Sequence, residues 1–475
     1  MVGFVGREHE LETLRDLYAR DRFDMVVVYG RRRVGKTSLI DEFTRDRKTL
    51  YFTALQQSSL LNLRGFSDAA YRFFGMPEGM PAFSSWQAAF SFVAEQARRN
   101  PREPWVLVFD EFPYAAMSEP SLPSVLQIAI DHGFKDTCAT MILSGSNEGF
   151  MESRVLGSKS PLYGRRTAQI HLQPFDYLDA ARFLPAASPE DLVRYYATFG
   201  GTPYYLALLD SSATYEDNVR ALMYDKLGLL YEEPMMLLRQ ELREPGQYYS
   251  VLQAIASGSA TPKSIAEHAG VETNAVGGYL RTLEGLNLVR KQVPFGDDPA
   301  KSRKGMYLVD DPFFAYWFRF VGRNTDAIER STETGRAVAD RVTASPAFAT
   351  YLGQRFESVC LQWLTRANGR GLLPFLATRF GKWWGTDPRA REQTDIDVIA
   401  ADPETRSILL GECKWRNTLN ETQTLDALRA RTGLVRGYTD HRYALFTKKP
   451  VSQATQDKCK AAGTLLMDAE NLYSR

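Results

Sequence analysis

The sequence predicts an α/β multidomain protein, and three observations lead to this fold class. Apolar runs of strand length alternate with segments of helical period through the first third of the chain, which is the pattern of a parallel sheet. A glycine-rich turn joins the first of these runs to a helix. Strand-like segments then return near the carboxyl end, after a long stretch that is helical in period.

The bulk composition narrows the class of protein. A chain of 475 residues suggests three or four domains, and 44% hydrophobic with 24% charged residues is ordinary for a folded chain. The net charge of +1 gives no overall attraction to nucleic acid, so such binding requires local basic surface. No apolar run approaches the roughly 18 residues of a membrane helix, and no signal peptide is recognised. The cysteines are far apart without a C-x-x-C motif, so we expect no disulfide framework, no zinc site and a cytoplasmic location.

The strongest motif follows the first predicted strand, residues 25–29. Residues 30–37 fit G-x-x-x-x-G-K-T, and helical spacing continues after them. The two glycines let the backbone turn so that its N–H groups and the helix N-terminus face an anion, while Lys36 reaches the β and γ phosphates. The predicted nucleotide site comprises Gly30, Arg31, Arg32, Arg33, Val34, Gly35, Lys36, Thr37 and Ser38.

A second acidic motif completes the predicted site for ATP and Mg²⁺. The apolar strand at residues 105–109 ends in Asp110 and Glu111. Thr37 and Asp110 are expected to hold Mg²⁺, and Glu111 is expected to orient or deprotonate the attacking water. Hydrolysis is therefore predicted as well as binding.

Further strands and helices surround these motifs. An amphipathic helix at residues 10–20 either closes over the adenine or covers a sheet edge. The strands at 49–53 and 139–145 complete a parallel sheet with helices at 66–74 and 85–99. Polar residues at the end of the strand at 139–145 either sense the γ-phosphate or form a turn; they are Ser144, Ser146 and Asn147. Arg165 and Arg166 begin another strand-like run, and an arginine near the γ-phosphate would stabilise the transition state.

Several of these motifs together resemble a known family. FVGRE, GRRRVGKTSL, VLVFDEFPYA, ILSGS, LYGRR and GGTPYYL occur in the order found in the archaeal-type ATPases, which are signal-transducing, AAA-like P-loop NTPases also present in bacteria. The resemblance covers about the first half of the chain. It implies an ATPase core, a helical lid in which Gly201 and Pro203 mark a turn, and then a winged helix. It also implies that Arg165 or Arg166 is an arginine sensor, without choosing between them.

The middle of the chain agrees with that order. Residues 175–244 are helical in period, and residues 248–309 read as three short helices followed by a hairpin, the pattern of a winged helix-turn-helix. A DNA-binding interpretation places residues 272–279 in the major groove and the following basic residues on phosphates. Those residues are Arg281, Lys291, Lys301, Arg303 and Lys304. The alternative is a winged helix used for packing or partner binding.

A second cluster of charged residues occurs near the carboxyl end. Alternation in TDIDVIA places Asp395 and Asp397 on one face of a strand, and in SILLGECKW it places Glu412 and Lys414 together. Asp397 and Glu412 are expected to hold Mg²⁺, Lys414 to orient or activate the nucleophile, and Glu357 to add an outer ligand.

This spacing resembles the PD-(D/E)XK restriction-endonuclease-like fold over residues 351–443. One departure is that Thr394 to Asp397 stand where the Pro-Asp dipeptide is expected, which favours the fold more than the activity. The aromatic segment at 310–321 is interpreted as core, and residues 323–343 as a linker helix.

We therefore predict a P-loop ATPase core at 1–174, a helical lid at 175–245, a winged helix-turn-helix at 246–320, and a linker with a nuclease-like domain at 321–475. One functional hypothesis is an ATP-controlled enzyme acting on DNA or RNA through a metal-dependent nuclease domain. The other is a nucleotide-switched regulator or scaffold without cleavage. The expected partners are ATP and, through the winged helix, DNA, with no membrane; a homo-oligomer or a protein partner is left open.

Overall fold

The computed structural model describes residues 3–474 of the chain. These residues form two compact units, with the boundary between Pro174 and Phe175. Each unit contains its own sheet and its own buried cores.

The first unit is built on a five-stranded parallel sheet in the order β2-β3-β4-β1-β5. Every residue of the central strands β1, β3 and β4 is buried, because helices cover both faces of the sheet. The strands are β1 (Asp24–Tyr29), β2 (Thr49–Thr53), β3 (Trp105–Asp110), β4 (Ala139–Gly145) and β5 (Ala168–His171).

Two apolar layers hold the helices of this unit to the sheet. One layer joins α1 and α2 to the sheet through residues such as Leu14, Leu39 and Phe43, and the other joins α3 to α6 through residues such as Phe66 and Phe90. The helices are α1 (Glu8–Tyr18), α2 (Lys36–Thr44), α3 (Ser59–Phe73), α4 (Trp86–Arg99), α5 (Phe112–Ser118), α6 (Leu122–Ala129) and α7 (Glu148–Phe150), with π-helical turns at Ile130–Phe134 and Met151–Val155.

The second unit begins with helices and a small hairpin. Five helices are followed by three more and by the antiparallel pair β6-β7, which is the arrangement predicted for a lid and a winged helix. These elements are α8 (Tyr177–Ala181), α9 (Pro189–Phe199), α10 (Pro203–Ala207), α11 (Tyr215–Met223), α12 (Glu233–Glu241), α13 (Pro245–Ala256), α14 (Pro262–Ala269), α15 (Thr273–Gly285), β6 (Val289–Gln292) and β7 (Met306–Val309).

The carboxyl-terminal part contains a mixed sheet in the order β12-β11-β10-β9-β8. Its first three strands along the chain are antiparallel, and β10, β11 and β12 are parallel. The remaining elements are α16 (Pro312–Tyr316), a π-helical turn (Trp317–Val321), α17 (Thr325–Arg330), α18 (Thr332–Thr343), α19 (Pro346–Gly369), β8 (Arg379–Asp387), β9 (Glu392–Asp402), β10 (Ser407–Lys414), α20 (Glu421–Ala430), β11 (Asp440–Thr447), α21 (Gln453–Ala461), β12 (Leu465–Asp468) and α22 (Ala469–Tyr473).

The long helix α19 belongs to two cores. Phe348 and Tyr351 in its first half lie in the core formed by the lid, the winged helix and the aromatic segment. Phe356 and Val359 in its second half lie in a core that also includes residues of β9 and β10. The Tyr351 hydroxyl donates to the carbonyl oxygen of Ala197 at 2.6 Å, which fixes the first half against α9.

The predicted fold class is confirmed, with some differences in detail. Helix α3 starts at Ser59 instead of residue 66, because the Ser58 side chain accepts from the Leu61 N–H and caps an earlier turn. The predicted linker helix is two helices, α17 and α18. The aromatic segment is buried, as expected for core. Within residues 3–474, no helix is both long and apolar enough to cross a membrane.

Candidate functional site

The phosphate-binding loop lies between β1 and α2 at the carboxyl edge of the first sheet. Gly30 has φ 152°, and a Cβ there would lie 2.4 Å from the carbonyl oxygen of Leu172, so only glycine fits. Gly35 has φ 90° at the N-cap of α2. Lys36 Nζ donates to the carbonyl oxygens of Gly30 at 2.8 Å and Arg31 at 3.1 Å. These contacts hold the Lys36 ammonium over the loop in which it is predicted to bind the β and γ phosphates.

The other side chains of this motif divide into inward and outward groups. Arg31 is 2% exposed and Val34 is fully buried, so both are directed into the protein. Arg32 donates to the hydroxyl of Tyr114 on α5. Thr37 and Ser38, in the first turn of α2, are exposed. The Thr37 hydroxyl, predicted to bind Mg²⁺, is therefore on an exposed residue at the start of α2.

Asp110 ends β3 and is 6% exposed. Its carboxylate accepts from the Tyr51 hydroxyl at 3.4 Å and from the Glu111 N–H at 3.1 Å. Burial, followed by the charge of Asp110, raises the pKa of Tyr51, so the phenol remains a donor. Burial and the charge of Asp110 also raise the pKa of Asp41 on α2. Asp110 forms no ion pair within residues 3–474, and its negative charge is therefore available to a cation.

Glu111 has the left-handed backbone conformation, with φ 50° and ψ 42°, at the N-cap of α5. Its Oε2 accepts from the N–H of Ser146 at 3.2 Å and from the Ser146 hydroxyl at 2.9 Å. Oε1 accepts no hydrogen bond from the described residues 3–474, which leaves one carboxylate oxygen for water. The contact follows from the strand order, because β4 lies between β3 and β1 and its end carries Ser146.

The structure thus distinguishes the three polar residues predicted at the end of β4. Ser146 contacts Glu111 directly. Ser144 is fully buried, and Asn147 caps α7 by accepting from the Phe150 N–H at 2.9 Å. Of the three, Ser146 is the residue placed with the acidic motif.

The backbone of Arg165 and Arg166 does not lie beside the phosphate-binding loop of this unit. Both precede β5, whose first residue pairs with Val26 near the start of β1, so their backbone lies at the amino edge of the parallel sheet. Arg165 forms a bidentate ion pair with Asp131, at 2.9 and 2.7 Å. Arg166 donates to the carbonyl oxygen of Leu156 at 3.1 Å. The structure brings neither guanidinium together with Lys36, and their predicted γ-phosphate role stays a prediction.

The second unit brings the four predicted carboxyl-terminal carboxylates together around cations of the chain. Lys382 on β8 was not predicted, and its Nζ lies 2.7 Å from Glu357, 3.2 Å from Asp395 and 3.6 Å from Asp397. Its position follows from a β-bulge, since Gly381 pairs with residue 399 whereas Trp383 pairs with residue 396. Lys382 therefore faces two residues of β9, including Asp397.

Glu412 is 5% exposed and is bound on both oxygens. Its Oε1 pairs with Lys414 and its Oε2 with Arg431, which follows α20. Asp397 Oδ2 accepts from the Cys413 N–H at 2.8 Å and lies 3.9 Å from Lys414. Each of the four oxygens of Asp397 and Glu412 thus faces a cation of the chain.

Burial and like charge disfavour ionisation in this cluster. Burial, with the charge of Asp397, raises the pKa of Glu357 to about 7, and burial with the charge of Glu412 raises that of Asp397. Burial alone would lower the pKa values of Lys382 and Lys414, but the neighbouring carboxylates outweigh burial and raise them. Both lysines are therefore ammonium ions.

The predicted Mg²⁺ ligands Asp397 and Glu412 do not fit a divalent ion in this arrangement. The oxygens that would coordinate it are paired with Lys382, Lys414 and Arg431, and an ammonium repels a metal ion. In the part of the chain that the structure describes, no group of three or more His, Cys, Asp or Glu is arranged to hold a metal. Lys414 likewise is an ion-pair partner of Glu412 here.

The winged helix keeps part of its predicted surface free and uses another part for packing. Asn274, in the first turn of α15, is exposed, and so is Arg281. Wing residues Lys301, Arg303 and Lys304 are also exposed. Lys291 instead donates to the carbonyl oxygen of Pro299 at 2.7 Å. At the base of the wing, the Phe295 N–H donates to the carbonyl oxygen of Lys382 at 2.8 Å, so this part of the hairpin is docked on β8.

Three residues of these sites were missed by sequence reasoning. Tyr51, Lys382 and Arg431 lie on elements separate from the motifs they contact. Only Tyr51 carried a usable signal, since alternation along β2 turns it to the same face as Thr49 and Thr53. Predicting the contact of Lys382 requires knowledge of the β-bulge in β8, and predicting that of Arg431 requires knowledge of the path of the chain after α20.

Comparisons with known proteins identify an ATPase domain in the first part of the chain. Residues 4–209 match a family model described as an ATPase domain predominantly from Archaea, and residues 317–425 match one described as Archaea bacterial proteins of unknown function. The uncharacterized protein MJECL04 of Methanocaldococcus jannaschii is 30% identical over 422 residues, which cover 87% of this chain and 88% of that protein.

Shorter or more distant similarities were also found. The uncharacterized ATP-binding protein MJ0423 of the same organism is 44% identical over 48 residues, covering 10% of this chain and 81% of that protein. The Walker-type ATPase PABY2304 of Pyrococcus abyssi has a TM-score of 0.48 and 18% identity, covering 66% of this chain and 96% of that one. Because the relative that is 30% identical spans most of the chain and the ATPase model covers the phosphate-binding loop, this chain belongs to the family of archaeal-type ATPases, with a carboxyl-terminal domain of unknown function.

Proposed function

We propose that this ATPase is a nucleotide-controlled switch in which Glu111 activates water and Ser146 reports the presence of the γ-phosphate. The observation that supports this proposal is the pair of hydrogen bonds from Ser146 to Glu111 Oε2. A serine hydroxyl has a single proton to donate. If that proton is donated to a phosphate oxygen, one bond to Glu111 is lost and the carboxylate can turn toward water.

The remaining residues of the loop bind and orient the nucleotide. In this proposal the N–H groups around Gly35 and the N-terminus of α2 face the phosphates. When nucleotide binds, the Lys36 ammonium exchanges its hydrogen bonds to the Gly30 and Arg31 carbonyl oxygens for contacts with the β and γ phosphates. Thr37 and Asp110 would hold Mg²⁺, which neutralises charge on the transferred phosphoryl group. The neutral donors around Asp110 and the exposed Thr37 hydroxyl fit that ion.

We also propose that an arginine of a second copy of the chain contributes to ATP turnover. The backbone of Arg165 and Arg166 lies at the sheet edge opposite the loop of their own unit, and Arg165 is paired with Asp131, whereas the charge of Arg166 acts on Tyr29 at the carboxyl end of β1. For Arg165, a role at a γ-phosphate is therefore proposed to come from a neighbouring copy in a homo-oligomer. Such an arginine would stabilise transition-state charge.

Replacing the proposed base tests the switch. In Glu111→Gln, turnover is expected to fall roughly a hundredfold to ten-thousandfold, because an amide cannot accept the proton, while ATP affinity is retained. Steady-state phosphate release and calorimetric ATP titration measure the two quantities. Glu119→Gln, at the other end of α5, is the matched control and should keep wild-type turnover. Undiminished hydrolysis by Glu111→Gln would remove Glu111 from the mechanism.

For the second unit we propose a regulatory role that includes contact with DNA, without metal-dependent cleavage. The exposed first turn of α15 and the exposed lysine and arginine side chains of the wing support the contact with DNA. The ion pairs of Asp397 and Glu412 with Lys382 and Arg431 support the absence of metal-dependent cleavage. Neutralising Lys301, Arg303 and Lys304 together should reduce the salt slope of DNA binding by about 0.9 per lost phosphate contact. A control pair, Lys458 and Lys460 on α21, should leave the slope unchanged. If the wing variant also leaves it unchanged, the winged helix serves packing only.

A further inference from the structure

The carboxyl-terminal cluster contains its own counter-ions. Four carboxylates, from Glu357, Asp395, Asp397 and Glu412, are bridged by three cations, from Lys382, Lys414 and Arg431. This near balance of charge is reached entirely within the chain.

Lys382 occupies the centre of the acidic group formed by α19 and β9. Its ammonium lies within 3.6 Å of three carboxylates from these two elements. That is the environment in which a hard divalent cation would bind, since both attract carboxylate oxygens from several directions. An ammonium and a divalent ion cannot share this space, because their repulsion is not screened in a partly buried site.

The backbone of Lys382 is fixed from both sides, so the side chain cannot leave by a simple shift of the strand. On one side β8 pairs with β9 around the bulge. On the other side the Phe295 N–H donates to the Lys382 carbonyl oxygen at 2.8 Å, and the Phe295 ring lies against Gly381. The packing of the wing and the sheet therefore fixes the backbone from which the Lys382 side chain extends, and the ion pairs with Glu357, Asp395 and Asp397 hold its ammonium.

We propose that Lys382 is the resident cation of this cluster and takes the place of a divalent metal, so that the carboxyl-terminal domain holds its acidic site together without metal. This inference is independent of the proposed ATPase switch. It assigns to Lys382 the neutralising role that the sequence alone assigns to Mg²⁺. The domain is then a binding or regulatory module whose folded state does not depend on divalent ions.

Calorimetric titration of the nucleotide-free, full-length protein with Mn²⁺ tests this assignment. Wild type should show no Mn²⁺ site that depends on Asp397, which means identical titrations for wild type and Asp397→Asn. Lys382→Met removes the ammonium and should gain a site on the order of a hundredfold tighter than any wild-type binding, as expected when a unit charge about 4 Å away is removed. Lys382→Arg keeps the charge and should gain none.

The double variant Lys382→Met with Asp397→Asn locates the gained site, because it should lose the new binding. Circular dichroism establishes that each variant is folded. A wild-type Mn²⁺ site that disappears in Asp397→Asn would overturn the proposal, and that comparison does not depend on any lysine variant. A folded Lys382→Met that gains no Mn²⁺ binding would overturn it as well.

Discussion

The phosphate-binding site of the first unit and the carboxylate cluster of the second both contain buried carboxylates, Asp110 in the first and Asp397 and Glu412 in the second, but the groups around these carboxylates differ. Asp110 and Glu111 accept hydrogen bonds from a phenol, a serine and backbone N–H groups, all of which are neutral. Asp397 and Glu412 face ammonium and guanidinium groups. Carboxylates that accept only from neutral donors keep their negative charge for an external cation, whereas carboxylates paired with lysine and arginine are already neutralised. The hydrogen-bond donors therefore distinguish the two sites, and the carboxylates alone do not.

Among the variants that test this comparison, the largest effect is expected from loss of the Lys36 ammonium. Lys36→Ala should lower ATP turnover by on the order of a hundredfold to a thousandfold, because the charge directed at the transferred phosphate is lost. Phosphate release under saturating ATP measures this. The control Lys48→Ala removes an exposed lysine of the same unit and should be neutral. Equal turnover in wild type and Lys36→Ala would contradict the assignment of the nucleotide site.

An intermediate effect is expected from breaking the self-neutralised cluster. Glu412→Gln leaves Lys414 and Arg431 without their shared carboxylate and should lower the unfolding free energy by about 2–3 kcal/mol. The loss is limited to this range because the two cations are partly exposed and regain some hydration. Denaturant unfolding of the full chain measures the loss, and ATP affinity should not change. Glu470→Gln, an exposed carboxylate on α22, should stay within about 0.5 kcal/mol of wild type. No destabilisation by Glu412→Gln would mean that the cluster is not held by its ion pairs.

The smallest effect is expected from a neutral donor in the first site. Tyr51→Phe removes the long 3.4 Å hydrogen bond to Asp110 and should lower ATP turnover by about tenfold at most, in line with the modest value of a neutral hydrogen bond. Tyr18→Phe, whose hydroxyl donates to the Pro104 carbonyl oxygen, is the control. A loss of a thousandfold or more would show that the Tyr51 hydroxyl acts on the nucleotide or its metal, far beyond supporting Asp110.

Local patterns predicted where the residues of the first candidate site lie in the fold, because these residues follow strand ends in a parallel sheet. The positions of Gly30, Lys36, Asp110 and Glu111 relative to their strands follow from spacing alone. The contact between Glu111 and Ser146 needed more, namely that β4 lies between β3 and β1. Strand order depends on tertiary packing and therefore cannot be predicted from the sequence of any single strand.

The carboxyl-terminal cluster was predicted in its carboxylates and in one of its three cations. Alternation identified Asp397, Glu412 and Lys414, but the partners that change their chemistry come from elsewhere in the chain. Lys382 reaches the carboxylates because a bulge places it opposite two residues of β9, and a bulge leaves no sequence signal here. The fold class was thus accessible from sequence, whereas the electrostatic character of this site was not.

Helix α19 has a consequence for how this architecture can change during evolution. Its first half completes the core beneath the lid and winged helix, and its second half completes the core beneath the carboxyl-terminal sheet. Recombination that exchanged the last domain at a boundary before Pro346 would remove Phe348 and Tyr351 from the first core and leave a cavity there. A crossover within α19 would keep that first core intact, but Phe175 and Tyr177 before the helix also lie in the second core, so the exchanged domain would have to fit the retained lid as well.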